Sequence, residues 1–295
     1  MSVAVVDIGG TAIKTGIYKD EDISHFKEVP SKAKDGVQAL MAQVVSLLET
    51  MPEKFDRIGI STAGQVDSSR GVITYANSNI PGYTGFPLKE FLEDKFSIPV
   101  TIENDVNAAA IGEAKFGAGK DKTNNTFLCL TYGTGIGGAI VINNNLYYGS
   151  SFSAAEFGAI IIHAEDRINS SDPWDGSYER YASTTALIKR VCEKHPDLNN
   201  GKKIFSNLNN EEVKKEVDLW INEVVFGLIS LTHIFNPSMI VVGGGIMNEG
   251  YIIEQLNKKL NANIMPSYRN VEIHQAKLQN KAGLYGAGWL SMNNI

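Results

Sequence analysis

The sequence predicts an α/β protein of two domains, and three observations support this prediction. Short apolar runs typical of buried strands alternate with segments of helical periodicity. Two blocks of similar plan follow one another, and each runs from an apolar strand through a glycine-rich turn into a second strand. The length of 295 residues and the hydrophobic content of 43% are sufficient for two cores.

The first block contains four predicted strands and two predicted helices. The strand-like runs cover residues 3–6, 13–18, 58–61 and 100–103, and the helix-like segments cover 36–51 and 88–96. This alternation of strands and helices is typical of α/β domains.

The second block starts near Asn107 with an alanine-rich helix to about Phe116. The chain is polar and irregular over 167–177. Strands are predicted over 126–131, 139–142 and 239–242, and helices over 178–194, 212–235 and 282–292. No long linker separates the blocks, so we expect two domains packed directly together with a cleft between them.

Charge and composition exclude several classes of protein. The net charge of -6 and the pI near 5.5 argue against a broad nucleic-acid-binding surface. No leader-like segment and no uninterrupted apolar run of bilayer length is present, so we expect a cytoplasmic protein without a membrane anchor. Cys129 and Cys192 are far apart and have no CxxC partner, which excludes a disulfide framework and a thiolate zinc site.

A glycine cluster in the second block is a candidate phosphate-binding turn, with Gly133, Thr134 and Gly135 at its tip. Glycine lets a phosphate approach backbone N–H groups that a Cβ would cover. With Gly138 the cluster matches GxGxxG, but a strand-like segment follows it where a dinucleotide-binding turn opens a helix. A Walker-type loop is also absent from the sequence, so a strand-turn-strand clamp for phosphate is predicted.

The turn of the first block contains Asp7, Gly9, Gly10 and Thr11. An aspartate that directly follows an apolar strand can hold Mg²⁺ or its water beside phosphates, although it could also be a plain turn residue. Thr11 and Lys14 could contact the terminal phosphate. Lys14 could equally point to solvent, because it alternates with apolar strand positions.

A third cluster, Gly243, Gly244 and Gly245, follows a buried strand and precedes a helical pattern. It would let an adenine or a ribose lie against the main chain. Each of the three clusters alone could be an ordinary tight turn. Together they favour nucleotide binding.

An ordered set of motifs over nearly the whole chain resembles the ROK family of sugar kinases, open reading frames and repressors. The motifs are Asp7-Ile8-Gly9-Gly10-Thr11, Ser61-Thr62-Ala63-Gly64-Gln65-Val66-Asp67, Glu103-Asn104-Asp105-Val106-Asn107-Ala108-Ala109, Gly133 to Gly138, Glu156-Phe157-Gly158 and Gly243-Gly244-Gly245.

The resemblance implies an actin-like, ribonuclease-H-like fold with ATP and sugar in an interdomain cleft. We expect a smaller α/β domain over 1–106 and 280–295 and a larger one over 107–279. The resemblance also implies ATP and Mg²⁺ as cofactors and a homodimer. The family's repressors carry a DNA-binding module ahead of the first turn, for which Asp7 leaves no room, so the kinase branch is expected.

Asp105 is the candidate base that takes the proton from a sugar hydroxyl. By position alone, Asn104 or Asp105 could simply cap the helix that starts at Val106. The resemblance makes Asp105 the base and Asn104 a partner of neighbouring sugar hydroxyls. A carboxylate suits this chemistry if it lies within hydrogen-bond reach of the hydroxyl.

Glu156 lies in an apolar stretch, where we expect it to be buried and satisfied by ligand hydroxyls rather than exposed on an edge strand. Glu179 could be a plain first-turn acid of a helix, but the resemblance implies that it contacts the sugar. The resemblance also implies that Gly64 and Asn79 line the sugar pocket.

The sequence departs from the common ROK pattern after the Glu-x-Gly pair. Ala159 replaces a histidine, and the three cysteines that hold a structural zinc with it are missing, so no zinc is expected. His163 is predicted to be an exposed or satisfied histidine rather than a ligand. Related proteins without zinc include N-acetylmannosamine kinases and β-glucoside kinases, so Ala159 could make room for a group at C1 or C2.

The predicted function is therefore transfer of the γ-phosphate of ATP to the 6-hydroxyl of a hexose, an N-acetylhexosamine such as N-acetylmannosamine, or a β-glucoside. One alternative is a catalytically weak sugar sensor without a DNA-binding module. A second alternative is an actin-like ATPase without a sugar site, which leaves Glu156 and the Asn104-Asp105 pair unexplained.

Overall fold

The protein is described by a computed structural model over residues 1–120, 126–168 and 170–293. The chain divides into two units. Unit 1 contains Met1–Asp121, Leu146–Ala154 and Lys277–Ile295, and unit 2 contains Lys122–Asn145 and Ala155–Ala276. Unit 1 is therefore assembled from three separate stretches of chain.

Strands and helices alternate along both units. The strands are β1 (Val3–Ile8), β2 (Ala12–Lys19), β3 (Asp22–Pro30), β4 (Arg57–Thr62), β5 (Gln65–Asp67), β6 (Val72–Tyr75), β7 (Val100–Asn104), β8 (Phe127–Tyr132), β9 (Ile136–Ile142), β10 (Asn145–Leu146), β11 (Met239–Gly243) and β12 (Glu272–Gln275). The helices are α1 (Val37–Glu49), α2 (Leu88–Phe96), α3 (Asp105–Phe116), α4 (Ala164–Ile168), α5 (Tyr178–Ala182), α6 (Thr184–Cys192), α7 (Gly201–Phe205), α8 (Glu211–Phe235), α9 (Gly250–Asn263) and α10 (Ala282–Asn293).

Each unit is built on a five-stranded sheet of the same plan. The order in unit 1 is β3-β2-β1-β4-β7, and the order of the second sheet is β10-β9-β8-β11-β12. In both sheets a central strand pairs antiparallel with the next strand of the chain and parallel with a later one. The glycine turns predicted from the sequence are the two hairpin turns, β1 to β2 and β8 to β9, so the predicted similarity of the two blocks is confirmed.

Helices α3 and α10 of unit 1 touch along their backbones. A Cβ on Gly286 would lie 1.7 Å from the carbonyl oxygen of Ala108, and one on Gly112 would lie 2.3 Å from that of Ala282. Only glycine allows so close an approach. This contact joins α3 to unit 1, although the sequence analysis assigned the chain from residue 107 to the second domain.

Helix α8 passes through the core of unit 2 and is half buried. Its buried side chains include Trp220, Ile221 and Val224, which lie in the same apolar cluster as the strands of this unit. Among the described residues, α8 is the helix that is long and apolar enough to cross a membrane by length and composition. A buried face of this kind is typical of the core helix of a globular unit.

Every predicted strand and helix has a counterpart in the structure, but one helix is divided and several further elements, β3 among them, were not predicted. The helix predicted over 178–194 is split at Ser183, whose side chain accepts a hydrogen bond from the N–H of Ala186 and caps α6. Strand β3 was not predicted, because most of its side chains are exposed and lack the alternation of a half-buried strand. Asn169, within the predicted irregular stretch 167–177, lies outside the described residues.

Candidate active site

The first glycine turn connects β1 to β2 and presents Asp7. The carboxylate of Asp7 accepts a hydrogen bond from the hydroxyl of Ser61 at 2.6 Å, and its other oxygen lies 2.9 Å from Nζ of Lys14. Lys14 faces Asp7 across the β1–β2 pair, and only 20% of its side chain is exposed. The alternative in which Lys14 points to solvent is therefore wrong, because an ion pair holds it at the turn.

At the tip of this turn, Gly9 donates its N–H to the carbonyl of Ala12 at 3.0 Å. A Cβ on Gly10 would meet no atom within 4 Å, and Thr11 is exposed. The tip is thus open to an approaching group, as a phosphate contact requires.

Asn104 caps helix α3. Its side-chain oxygen accepts hydrogen bonds from the N–H groups of Val106 and Asn107 at 2.9 and 3.1 Å. Its amide nitrogen donates to the carbonyl of Gly64 and to the carboxylate of Asp105, each at 2.9 Å. Because all of its hydrogen-bonding positions are used within the protein, Asn104 orients Asp105 and ties it to the loop at Gly64.

Asp105 is the first residue of α3 and is partly buried. Burial and the nearby charge of Asp7 raise the pKa of its carboxyl to about 7, while hydrogen bonds from Val106 and Asn104 act in the opposite direction. A carboxylate with a pKa near neutrality is suited to accept a proton from a hydroxyl group.

Glu103, next to the last residue of β7, holds Asn104 and Asn107 by hydrogen bonds. It was not predicted as a site residue from the sequence. Its side chain is 2% exposed. It accepts hydrogen bonds from the N–H of Asn104 at 2.8 Å, the amide of Asn107 at 3.0 Å and the hydroxyl of Tyr148 at 2.8 Å. Burial raises the pKa of Glu103, and these hydrogen bonds offset part of that effect.

Gly64 and Asn79, the two residues predicted to line the sugar pocket, differ in their surroundings. Gly64 has φ of +100°, and a Cβ there would lie 2.8 Å from the carbonyl of Tyr75, so the position requires glycine. Asn79 is exposed on the loop after β6, where its N–H is bonded to the side chain of Asn77 at 3.1 Å. The structure brings Gly64 to Asn104 but records no contact between Asn79 and Asp105.

In unit 2, the second glycine turn is held at both ends by hydrogen bonds to residues of α5 and α6. Thr184 donates its N–H to the carbonyl of Gly133 and its hydroxyl to that of Tyr132, both at 3.0 Å. Glu179 accepts a hydrogen bond from the N–H of Ile136 at 2.9 Å. Thr184 was also missed, because the sequence pattern placed it inside a single helix over 178–194 rather than at the start of α6.

A cavity of about 490 Å³ adjoins this turn within unit 2. Its lining includes Gly133 and Thr134 of the turn and Gly245 of the third cluster. The remaining lining residues are Tyr132, Thr184, Thr185, Ile188, Gly201, Lys202, Phe205, Ile246 and Glu249. Two predicted glycine clusters thus line one cavity whose size suits a nucleotide.

The third cluster is shaped by close backbone contact. Gly244 has φ of +115°, and a Cβ there would lie 2.1 Å from the carbonyl of Tyr132. Gly245 has no atom within 4 Å of an added Cβ and begins a short 3₁₀ turn ahead of α9. Gly243 ends β11 and is partly buried. The cluster therefore packs against the end of β8 at Gly244 and lines the cavity at Gly245.

The burial predicted for Glu156 is wrong. Its side chain is exposed, because the apolar stretch turns through a 3₁₀ helix at Phe157–Ala159 in which Phe157 and Gly158 take the buried positions. Ala159 is also exposed. The exposure of Glu156 leaves it accessible to a ligand, so its sugar-binding role stays a prediction.

The region of the family's zinc site is cross-linked by hydrogen bonds in this chain. Nε2 of His163 lies 2.7 Å from the carboxylate of Glu223, and its ring stacks on Tyr181 with centroids 4.0 Å apart. His163 is therefore a satisfied histidine. Within residues 1–120, 126–168 and 170–293, no group of three or more His, Cys, Asp or Glu side chains could hold a metal ion.

Comparisons with known proteins agree with this geometry. A beta-glucoside kinase of Listeria monocytogenes is 34% identical over 97% of this chain and 96% of that protein. A second protein of that organism, provisionally assigned as an N-acetylmannosamine kinase, superposes with a TM-score of 0.87 at 31% identity over 100% of this chain and 99% of the other. A glucokinase from Streptomyces griseus, solved with glucose and AMPPNP, gives a TM-score of 0.84 at 29% identity over 99% of each chain.

These relatives are sugar kinases with the actin-like two-domain fold, so the predicted fold class and the predicted kinase class are confirmed. The profile of the ROK family matches residues 3–294, which is nearly the whole length of the sequence. The chain belongs to the ROK family.

Proposed function

We propose that this protein transfers the γ-phosphate of ATP to the 6-hydroxyl of a hexose, an N-acetylhexosamine or a β-glucoside, with Asp105 as the base. The observation that carries the proposal is the setting of Asp105, whose pKa is raised to about 7 by burial and by the charge of Asp7. At neutral pH a large fraction of this carboxyl is ionised and can take the hydroxyl proton.

The cavity in unit 2 supports ATP as the donor. Gly133 and Gly245 in its lining have no Cβ to obstruct a phosphate that approaches the backbone, and Ile188 and Phe205 offer apolar contacts for a flat base. The Streptomyces griseus glucokinase was solved with AMPPNP, an ATP analogue, which agrees with this assignment.

Asp7 would bind Mg²⁺ through water rather than directly. Each of its oxygens already accepts a contact, from Ser61 or Lys14, but each carboxylate oxygen has two lone pairs. Mg²⁺ keeps several waters and is held by few carboxylates together with substrate phosphates, so this donor set fits it. When bound, the ion would neutralise charge on the transferred phosphoryl group.

Glu156 and Glu179 would accept hydrogen bonds from sugar hydroxyls, and Gly64 and Asn79 would line the sugar pocket. Ala159, the last residue of the Phe157–Ala159 turn, is small and exposed. We therefore infer a substrate with a substituent at C1 or C2. The β-glucoside kinase of Listeria monocytogenes, at 34% identity, supports the inference.

A coupled ADP-release assay tests the function. The panel would contain glucose, a β-glucoside such as cellobiose, N-acetylmannosamine and N-acetylglucosamine. We expect ADP release with at least one sugar and its loss in Asp105→Asn. A preference for plain glucose by orders of magnitude in kcat/KM would contradict the inferred C1 or C2 substituent, and sugar binding without ADP release would identify a sensor.

The family resemblance favours a cytoplasmic homodimer without a nucleic-acid partner, which agrees with the net charge of -6. Sedimentation velocity at micromolar concentration measures the assembly, and a monomer at all concentrations would contradict the dimer.

A further inference from the structure

The side chain of Glu179 contacts two turns of unit 2. Its Oε2 atom accepts the hydrogen bond from the N–H of Ile136 at 2.9 Å. A Cβ added to Gly135 would lie 2.0 Å from the same Oε2 atom, and one added to Gly158 would lie 3.2 Å from it. The carboxylate therefore fills the space between the phosphate turn and the Glu156–Gly158 turn.

The position of Glu179 is fixed by its neighbour in α5. The hydroxyl of Tyr178 is bonded to that of Tyr132 at 2.7 Å and to the carbonyl of Val224 at 2.6 Å. Tyr178 is fully buried. Because Tyr178 anchors the helix, a change at the carboxylate of Glu179 should move the turn at Ile136 rather than the helix.

Only one of the two oxygens of Glu179 is used within the described part of the chain. Oε2 binds the turn, whereas Oε1 makes no hydrogen bond to the residues that the structure describes. Glu179 is also only partly buried. Oε1 can therefore accept a hydrogen bond from a ligand hydroxyl while Oε2 stays on the turn.

The charge of Glu179 opposes anion binding at the turn. A carboxylate that touches the backbone at Gly135 and Ile136 repels a phosphate group bound at the neighbouring residues of the turn. A hydroxyl that donates to Oε1 disperses this charge and weakens the repulsion. Binding of a hydroxyl ligand and of a nucleotide should therefore favour each other.

We propose that Glu179 is a positioning residue that couples the two ligands, in that a sugar hydroxyl on Oε1 strengthens nucleotide binding at the turn held by Oε2. The proposal rests on the proposed function for the identity of the sugar. The coupling must be reciprocal, because the same free energy describes the effect of either ligand on the other.

Calorimetric titration with Mg²⁺ and AMP-PNP tests the coupling, with and without a saturating sugar from the panel. In the unsubstituted protein we expect the sugar to tighten AMP-PNP binding about fivefold or more. Glu179→Gln keeps an acceptor for the N–H of Ile136 but removes the charge. This variant should bind AMP-PNP severalfold more tightly without sugar, and the effect of sugar should fall below about twofold.

Glu156→Gln is the matched control, because Glu156 lies on the adjoining turn, whereas the N–H of Ile136 is bonded to Glu179. It should weaken sugar binding but keep the fivefold coupling. Equal coupling in the unsubstituted protein and Glu179→Gln, or equal loss in both variants, overturns the inference.

The proposed function and the inference fail in different ways. If no sugar binds the unsubstituted protein, the proposed function is wrong. The titration without sugar then still decides the role of Glu179, because AMP-PNP binding to Glu179→Gln that is no tighter than to the unsubstituted protein contradicts the repulsion on which the coupling depends.

Discussion

Tyr148 donates a hydrogen bond from its hydroxyl to Oε2 of the buried Glu103 at 2.8 Å, although 45 positions separate the two residues in the sequence. Glu103 in turn binds the N–H of Asn104, whose side chain orients Asp105. The loop Leu146–Ala154 is therefore connected to the candidate base through two intermediate residues.

Tyr148→Phe removes the hydroxyl of this connection. Leaving a buried carboxylate oxygen with one donor fewer should cost about 1 kcal/mol of unfolding free energy and lower kcat more than it changes the KM for sugar. Tyr147→Phe is the control, since the side chain of Tyr147 is 50% exposed. Denaturant unfolding and steady-state kinetics measure the two effects, and equal behaviour of the two variants would contradict the role given to Tyr148.

The pH dependence of kcat/KM should follow the ionisation of Asp105. Because its pKa is about 7, kcat/KM should fall about tenfold for each pH unit below 6 and level off above 8. Asp7→Asn removes a charge that raises this pKa, so the acid limb of the profile should move to lower pH. Asp35→Asn, on an exposed aspartate, should leave the limb in place.

Asp105→Asn should lower the activity of the enzyme and raise the stability of the fold at pH 8. Loss of the base should lower kcat by about 10²- to 10⁴-fold. The folded-state pKa lies above the unfolded value of about 3.9, so the folded protein retains a proton between about pH 4 and 7 that the unfolded chain has lost.

Raising the pH through this window therefore destabilises the folded protein, and the penalty is complete above pH 7. Asparagine removes it, which after allowance for partial exposure should stabilise the fold at pH 8 by on the order of 1 kcal/mol. The gain should be absent at pH 4. Urea unfolding at both pH values measures it, and a stability gain that does not change with pH would contradict the assignment.

Two glycines of the phosphate turn should respond differently to alanine. Gly135→Ala places a Cβ 2.0 Å from the carboxylate of Glu179 and should lower the thermal midpoint, whereas a Cβ on Gly133 meets no atom within 4 Å. Gly133→Ala should keep the thermal midpoint but raise the KM for ATP, because the Cβ occupies the space of an approaching phosphate. An unchanged KM for ATP would show that phosphate does not bind there.

Gly286→Ala tests the contact between α3 and α10. The added Cβ would lie 1.7 Å from the carbonyl of Ala108, so the helices must separate, at a cost of about 1–3 kcal/mol. Gly250→Ala is the control, because a Cβ at the exposed start of α9 meets nothing within 4 Å. Denaturant unfolding should show a loss for the first substitution only.

The sequence alone predicted the elements with strong apolar patterns, which include all strands that lie at the centre of either sheet. It failed at β3 because an exposed edge strand has no alternation, and at Ser183 because a helix break by a capping serine resembles an ordinary polar helix position. The motifs predicted Asp7 for the nucleotide and its Mg²⁺ and predicted Asn104 and Asp105 for the sugar. All three lie in unit 1, where Asn104 is bonded to Asp105 and the charge of Asp7 acts on Asp105.

Other parts of the site had no signal in the sequence. Tyr148 is distant from Glu103 along the chain, and only the fold brings its hydroxyl to a buried carboxylate. Glu156 was expected to be buried because its neighbours are apolar, but a 3₁₀ turn reverses the direction of side chains that a strand would have alternated. Composition of a segment therefore does not determine burial where the local backbone is irregular.

The division of unit 1 into three stretches has a consequence for synthesis on the ribosome. All residues of unit 2 have been made once Ala276 has left the ribosome, whereas α10, which packs against α3, is made after them. Unit 2 can therefore complete its fold first, although its chain begins later. Until α10 is made, the face of α3 around Ala108 and Gly112 stays uncovered, so a nascent chain stalled shortly before residue 282 should be a preferred substrate for chaperones.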